Sequence, residues 1–253
     1  MKVQAHGATD VGKKRTNNED AFALKPGHGL FVVADGMGGH SSGEVASHLA
    51  VSQITAFFDR QGLGEDSTWP YPYDDSISFV ANKIRTAIAL ANDTIQHHAM
   101  EHPESRGMGT TVVAALLNGD ELVVSHVGDS RAYLFSDGKL SVLTADHSWV
   151  SEQVRMGLLT DEEASRHPLR NVITKALGTR DQAEADVMSL MPAVGDRVLL
   201  CTDGLNSMAS GDEIAAALGQ RLDLEATCKV LIELAKDRGG EDNITVVLIE
   251  RTA

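Results

Sequence analysis

The chain has 253 residues, is 42% apolar but only 4% aromatic, and carries 22 basic against 36 acidic side chains for a net charge of −14. So acidic a balance counts against nucleic acid and against an anionic membrane surface as partners, because both call for a basic face. An anionic substrate stays compatible if bound cations reverse the local field. Val, Ile, Leu, Ala and Met supply most of the packing, in amounts that suit one domain spanning residues 1–253. Cys201 and Cys228 have no disulfide-like spacing, which points to a reducing compartment. The opening MKVQAHGATD lacks the apolar stretch of a signal peptide. The apolar runs fall far short of the roughly 20 residues that a membrane span needs. A soluble, cytoplasmic protein is the expectation.

In chain order, short strands are predicted at 3–8, 21–24 and 30–34, with glycines 27 and 29 marking the turn before the third. Two helices follow, at 41–60 and 76–102, each with an apolar stripe at helical spacing, and Pro103 stops the second. The segment between them is a loop rich in turn residues and aromatics with no chemical reading. Strands are then expected at 111–117 and 121–127 around Asn118-Gly119-Asp120, and at 131–135 and 140–143 around Asp137-Gly138. Residues 148–167 turn helical, with Thr160 and Glu163 spaced as a capping box. Strands at 185–190 and 197–201, helices at 212–218 and 224–236, and a last strand at 244–249 complete the pattern. Strands in blocks and helices in pairs indicate an α+β fold with antiparallel sheets and helices layered outside, not alternating βαβ units.

Five acidic residues sit in separate motifs, most at the end of an apolar run: Asp20 closes RTNNED, Asp35 follows LFVVA, Asp129 lies in HVGDSR, Asp203 follows RVLLCT and Asp242 precedes NITVVLI. One aspartate after a strand is an ordinary turn. Several meeting at one edge would repel and desolvate unless cations held them together. With no His or Cys among them, the donor set suits Mg²⁺ or Mn²⁺ rather than Zn²⁺. Arg15, four residues before Glu19, is either a phosphate-gripping guanidinium or a surface salt bridge.

RTNNED, VVADGMGGH, GMGTT, HVGDSR, CTDGL and GGEDNITVV occur in the order and approximate spacing of the metal-dependent protein serine/threonine phosphatases, the type 2C or PPM family. The resemblance runs from about residue 5 to residue 250, and DGMGGH with HPLRNVITKALG is most similar to the bacterial branch. It implies a four-layer α/β/β/α sandwich with two antiparallel sheets flanked by helix pairs and metals in a cleft at one edge. Asp35, Asp203 and Asp242 would bind one Mn²⁺ or Mg²⁺. Asp35 and the Gly36 carbonyl would bind a second, with Glu19 nearby, and Asp129 with Asp203 match a third, weaker position. Asp20 would orient a water on the metal, Arg15 would hold the substrate phosphate, and Asn243 would support the site from behind. Eukaryotic relatives place a histidine after the Asp-Gly pair as the proposed general acid; Met37 stands there and cannot donate a proton. That leaves His40 or a metal-bound water. The segment at about 148–175 matches a flap beside the cleft.

The implied activity is hydrolysis of phosphoserine and phosphothreonine by metal-activated water, with phosphorylated proteins as partners and a bacterial Ser/Thr kinase as the opposing enzyme. The chemistry agrees. Enhancements for phosphate monoesters reach ~10²¹-fold, beyond the ~10²- to 10⁴-fold of one general acid and within reach of a dinuclear centre. A catalytically silent module that binds phosphoproteins and a phosphatase for small molecules are the alternatives. Other patterns do not persuade. GATDVGKK lacks the Ser or Thr that a P-loop needs after its lysine, and His97, His98 and His102 lack the glutamate of a metalloprotease helix. Cys201 and Cys228 read as core, and Met100, Met108 and Met156 as packing.

Overall fold

The structure, a computed structural model, describes residues 2–38, 42–60, 68–179 and 184–252. Its strands are β1 (Lys2–Asp10), β2 (Asp20–Lys25), β3 (Leu30–Met37), β4 (Gly109–Thr110), β5 (Val112–Asn118), β6 (Glu121–Val127), β7 (Arg131–Ser136), β8 (Lys139–Val142), β9 (Asp186–Leu190), β10 (Arg197–Cys201) and β11 (Ile244–Thr252). Its helices are α1 (Ser42–Asp59), α2 (Phe79–Glu101), α3 (Trp149–Arg155), α4 (Asp161–Ser165), α5 (Asp203–Asn206), α6 (Gly211–Gly219) and α7 (Leu224–Asp237). One antiparallel sheet has the order β1-β11-β10-β7-β8 and the other β2-β3-β5-β6-β9, with β4 added to β3.

Strand periodicity sorts the apolar side chains into three layers of core. Leu30, Val32 and Ala34 of β3 pack with α1 and α2, while Phe31 and Val33 point into the gap between the sheets. On β11, Ile244, Val246 and Leu248 pack with α6 and α7, while Val247 and Ile249 meet the opposing sheet. Three cores between four layers make the α/β/β/α sandwich. Strands buried on both faces read as unbroken apolar runs even though the sheets are antiparallel, which explains RVLLC and ITVVLI.

Local chemistry fixes the ends. Ser78 caps α2 through its side chain, so this helix starts at Phe79 rather than at 76. Asp137 (φ 50°) and Gly138 (φ 76°) are both left-handed and form the two-residue turn between β7 and β8. Thr160 and Glu163 form a capping box at α4. The 7–14 segment is not a nucleotide loop: β1 runs to Asp10 as a partner of β11. Met108 is buried, but Met100 and Met156 are 77% and 62% exposed, so those two are not packing residues. No described helix is long and apolar enough to cross a membrane.

Candidate metal centre and active site

Sheet register brings the aspartates together. Asp20 opens β2 directly opposite Asp35 on β3. The sequence context places Asp35 at the end of its strand, but it lies inside β3. β3 continues through Gly36 and Met37, which pair with Thr110 and Gly109 of β4. The Asp35 backbone is clamped there: its carbonyl accepts from Thr111 N–H at 2.9 Å and from the Thr110 hydroxyl at 2.8 Å, while its N–H donates to Thr111 Oγ1 at 3.1 Å. Thr111 Oγ1 also bonds Ser130 Oγ at 2.7 Å, tying the turn that carries Asp129 to the same strand. From the other sheet, Thr202 N–H donates to Thr245 O at 3.1 Å, so α5, which opens with Asp203, starts beside the chain leading into β11. The approach is so close that a Cβ on Gly204 would lie 1.9 Å from the Asn243 carbonyl oxygen.

Asn243 binds the loop before β2. Its Oδ1 accepts from Glu19 N–H at 2.8 Å, and its Nδ2 donates to the carbonyls of Val11 and Asn17 at 3.0 and 2.9 Å. The buried Gly36 donates its N–H to Glu19 O at 3.1 Å. Arg15 stands on the rim, its side chain 51% exposed, and donates to Asp242 Oδ2 at 2.8 Å. In this arrangement Arg15 is a salt bridge with one of the acids, poised beside the cluster. His40 lies outside the described residues. His98 and His102 stack on each other at 4.2 Å at the end of α2.

Asp20 is held differently from the rest. Its Oδ2 accepts from Thr202 Oγ1 at 2.9 Å and Thr245 Oγ1 at 2.6 Å, and Thr245 is bonded in turn to Thr9 at 2.7 Å. Its Oδ1 is buried without a hydrogen-bond partner, as is Asp203 Oδ1. Burial pushes Asp35 well above the usual carboxylate range, with Asp20, Asp203, Asp129 and Asp242 each adding repulsion. Burial likewise raises Asp20 to about 7, against the pull of the Thr245 and Thr202 hydroxyls. Asp129 is pushed to about 7 by burial and then by Asp203, and Asp203 to about 6 by burial and then by Asp242. Orphaned buried oxygens in an all-oxygen donor set that resists carrying its own charge fit Mg²⁺ or Mn²⁺.

This has a measurable consequence. These folded-state values lie above the unfolded aspartate value of about 4, so between about pH 4 and pH 7 the native state binds more protons than the unfolded one. The metal-free protein should lose stability from these groups as pH rises through that window. Cations compete with the protons. Thermal unfolding should therefore show a Tm increase on adding Mn²⁺ that is large at pH 8 and small at pH 5; an equal increase at both would contradict the assignment.

The segment 148–175 rises from the same end. Trp149 N–H donates to Val172 O and Thr174 N–H to His147 O, each at 2.8 Å, so both stems are tied together. Between it and Asp129 and Asp203 lies a cavity of about 410 Å³ that includes Ser151, Arg170 and Asn171. Arg131 on its wall is engaged by Asp146 through two bonds at 2.8 and 2.6 Å. Sequence reasoning missed the threonines that position Asp20 and Asp35, and also the buried His126 and His147 grouped with the exposed Asp186. Their signal is the Thr beside each aspartate motif and the His in HVGDSR and DHS, which become meaningful only once the register is known.

The protein phosphatase 2C family model matches residues 10–237. The chain is 37% identical over 256 residues to the serine/threonine phosphatase stp of Listeria welshimeri, covering 98% of this chain and 96% of that protein. Among solved structures, the Mycobacterium tuberculosis serine/threonine phosphatase PstP/Ppp superposes with a TM-score of 0.88 at 35% identity, covering 100% of both chains. The catalytic domain of PstP in complex with 2 manganese ions gives 0.85 at 35% identity, covering 99% of each.

Proposed function

The chain belongs to the protein phosphatase 2C family and is a phosphoprotein phosphatase of the bacterial serine/threonine class, and from that premise we propose that it works through two divalent cations, Mn²⁺ or Mg²⁺, held by its clustered aspartates. Asp35, Asp203 and Asp242 would hold one ion; Asp35, the Gly36 carbonyl and Glu19 the other; Asp129 and Asp203 a weaker third. The observation that carries this reading is that carboxylates from five separate motifs converge with two buried oxygens left unpartnered. The ions, when bound, neutralise phosphate oxygens and make water acidic enough to yield hydroxide near neutral pH.

The chain's own residues do the rest. Asp20, fixed through Oδ2 by Thr202 and Thr245, keeps Oδ1 free to orient a water and accept its proton. Asn243 holds the Glu19 loop on the start of β11. Arg15 exchanges Asp242 for the substrate phosphate, a bidentate match. Met37 offers no proton to the leaving alkoxide, and His40 or a bound water fills that role. The chain acts as one domain with the segment at about 148–175 as a flap over the cleft. The substrates are cytoplasmic phosphoproteins, including those of a Ser/Thr kinase that the enzyme opposes.

Hydrolysis of a phosphothreonine peptide, compared with a sugar phosphate and run with Mn²⁺, Mg²⁺ and chelator, tests the reading. Metal-dependent, chelator-sensitive release that favours the peptide is expected; no metal-dependent release would refute it. In the same assay Arg15→Ala should raise KM about tenfold or more while lowering kcat less, since one charge-assisted phosphate contact contributes about 1.5–3 kcal/mol. A loss confined to kcat would contradict the binding role.

A further inference from the structure

Outside the carboxylate centre, His126, His147 and Asp186 place ligand-type atoms within 4.8 Å of one another. Proton accounting argues against a cation there. His126 Nε2 lies 2.9 Å from the Ala145 carbonyl, which can only accept, so that nitrogen carries its proton. His147 Nδ1 accepts from Gly128 N–H at 3.1 Å. The proton of the neutral His147 ring is therefore on Nε2, where it blocks metal ligation. Nε2 lies 3.3 Å from Asp186 Oδ2, close enough for attraction, but the N–H is not aimed well enough to form a full hydrogen bond. The carboxylate still favours this tautomer, and His126 stacks on the ring at 4.7 Å to hold its plane.

Every other polar group of His147 is also engaged. Its N–H donates to Gly128 O at 2.9 Å, so the two residues are joined twice. Its carbonyl accepts from Thr174 N–H at 2.8 Å, where the chain leaves the 148–175 segment. Gly128 has φ +109°, a backbone conformation that other residues rarely adopt, and a Cβ there would lie 2.6 Å from the Thr111 side chain. So a turn that glycine alone tolerates, and that leads directly into Asp129, is pinned by one imidazole. We infer that His147 is a positioning residue: through Nδ1 and its backbone it locks the Asp129 turn to both stems of the 148–175 segment, and so couples cation binding at Asp129 to the order of that segment. The cation half of this inference rests on the functional reading above.

Two substitutions separate the hydrogen bond from packing. His147→Asn places an amide oxygen near the position of Nδ1 and can keep the Gly128 bond. His147→Gln places its amide near Nε2 and loses it. Two measurements read the difference: backbone amide exchange at Gly128 by NMR in the metal-free protein, and a Mn²⁺ titration followed by electron paramagnetic resonance. Losing one hydrogen bond should make His147→Gln exchange at Gly128 about tenfold faster and bind its weakest Mn²⁺ about tenfold less tightly, with His147→Asn within about threefold of wild type on both. Two variants that behave alike, both intact or both impaired, would overturn the inference. So would a tight Zn²⁺ site in the wild type that both variants abolish. The exchange result stands without metal or activity, so a wild type that fails to hydrolyse phosphopeptides would refute the functional reading and leave this test decisive.

Discussion

Asp35→Asn is expected to lower kcat on a phosphothreonine peptide by about 10³-fold or more, since cation stabilisation of the transition state amounts to several kcal/mol and each 1.36 kcal/mol is a factor of ten. Asp35 receives repulsion from Asp20, Asp203, Asp129 and Asp242, which makes it the electrostatic centre of the group and the residue proposed to bridge both ions. The amide keeps the shape and leaves the backbone clamp from Thr110 and Thr111 intact. Stability should move the other way. Removing one like charge from a buried group relieves repulsion, so the metal-free variant should unfold at a higher Tm than the metal-free wild type, while losing most of the Mn²⁺-induced increase. A variant that lost activity and metal-free Tm together would make Asp35 a structural residue instead.

Gly204→Ala should be strongly damaging at the molecule's active end. The added carbon would sit 1.9 Å from the Asn243 carbonyl oxygen and 2.9 Å from its carbon. Both are backbone atoms, so no side chain can turn aside. Either the turn between β10 and α5 or the chain entering β11 must move, and each carries a proposed ligand, Asp203 and Asp242. Overpacking of this kind costs about 3 kcal/mol. In a chain of this size that corresponds to a Tm loss of roughly 6–12 °C. Metal affinity should fall with it, because the displaced pair is the one that repels across Asp203. Gly211→Ala is the matched control: nothing lies within 4 Å of its Cβ position, and it sits in helix α6, where alanine is favoured. Equal Tm values for the two variants would show that the close approach is not real.

The fold was readable where local chemistry and burial agree. Apolar runs such as RVLLC and NITVVLI announced strands, and Asp137-Gly138 and the Thr160/Glu163 pair announced a turn and a helix start through mechanisms internal to a few residues. The extension of β3 past Asp35 was not readable, because DGMGG has the composition of a loop, and Gly36 and Met37 join the strand only by pairing with Thr110 and Gly109, far along the chain. Helix α5 is one turn long and has no periodicity to detect. The aspartates themselves were legible because carboxylates after apolar runs are conspicuous. Their supports were not. Thr202, the residue between β10 and α5, and Thr245, an ordinary residue of β11, draw no notice until the approach of the two chains sets them side by side against Asp20. His147 is an unremarkable turn histidine until the stems of the 148–175 segment close around it. Arg15, by contrast, drew two readings from sequence, and the salt bridge to Asp242 shows the resting one.

Anomalous diffraction from crystals soaked in Mn²⁺ tests the central claim most directly. Two strong peaks flanking the Asp35 carboxylate, one of them shared with Asp203 and Asp242, are the predicted result. A well-ordered protein with no peak among these aspartates, or with Mn²⁺ only elsewhere, would contradict it.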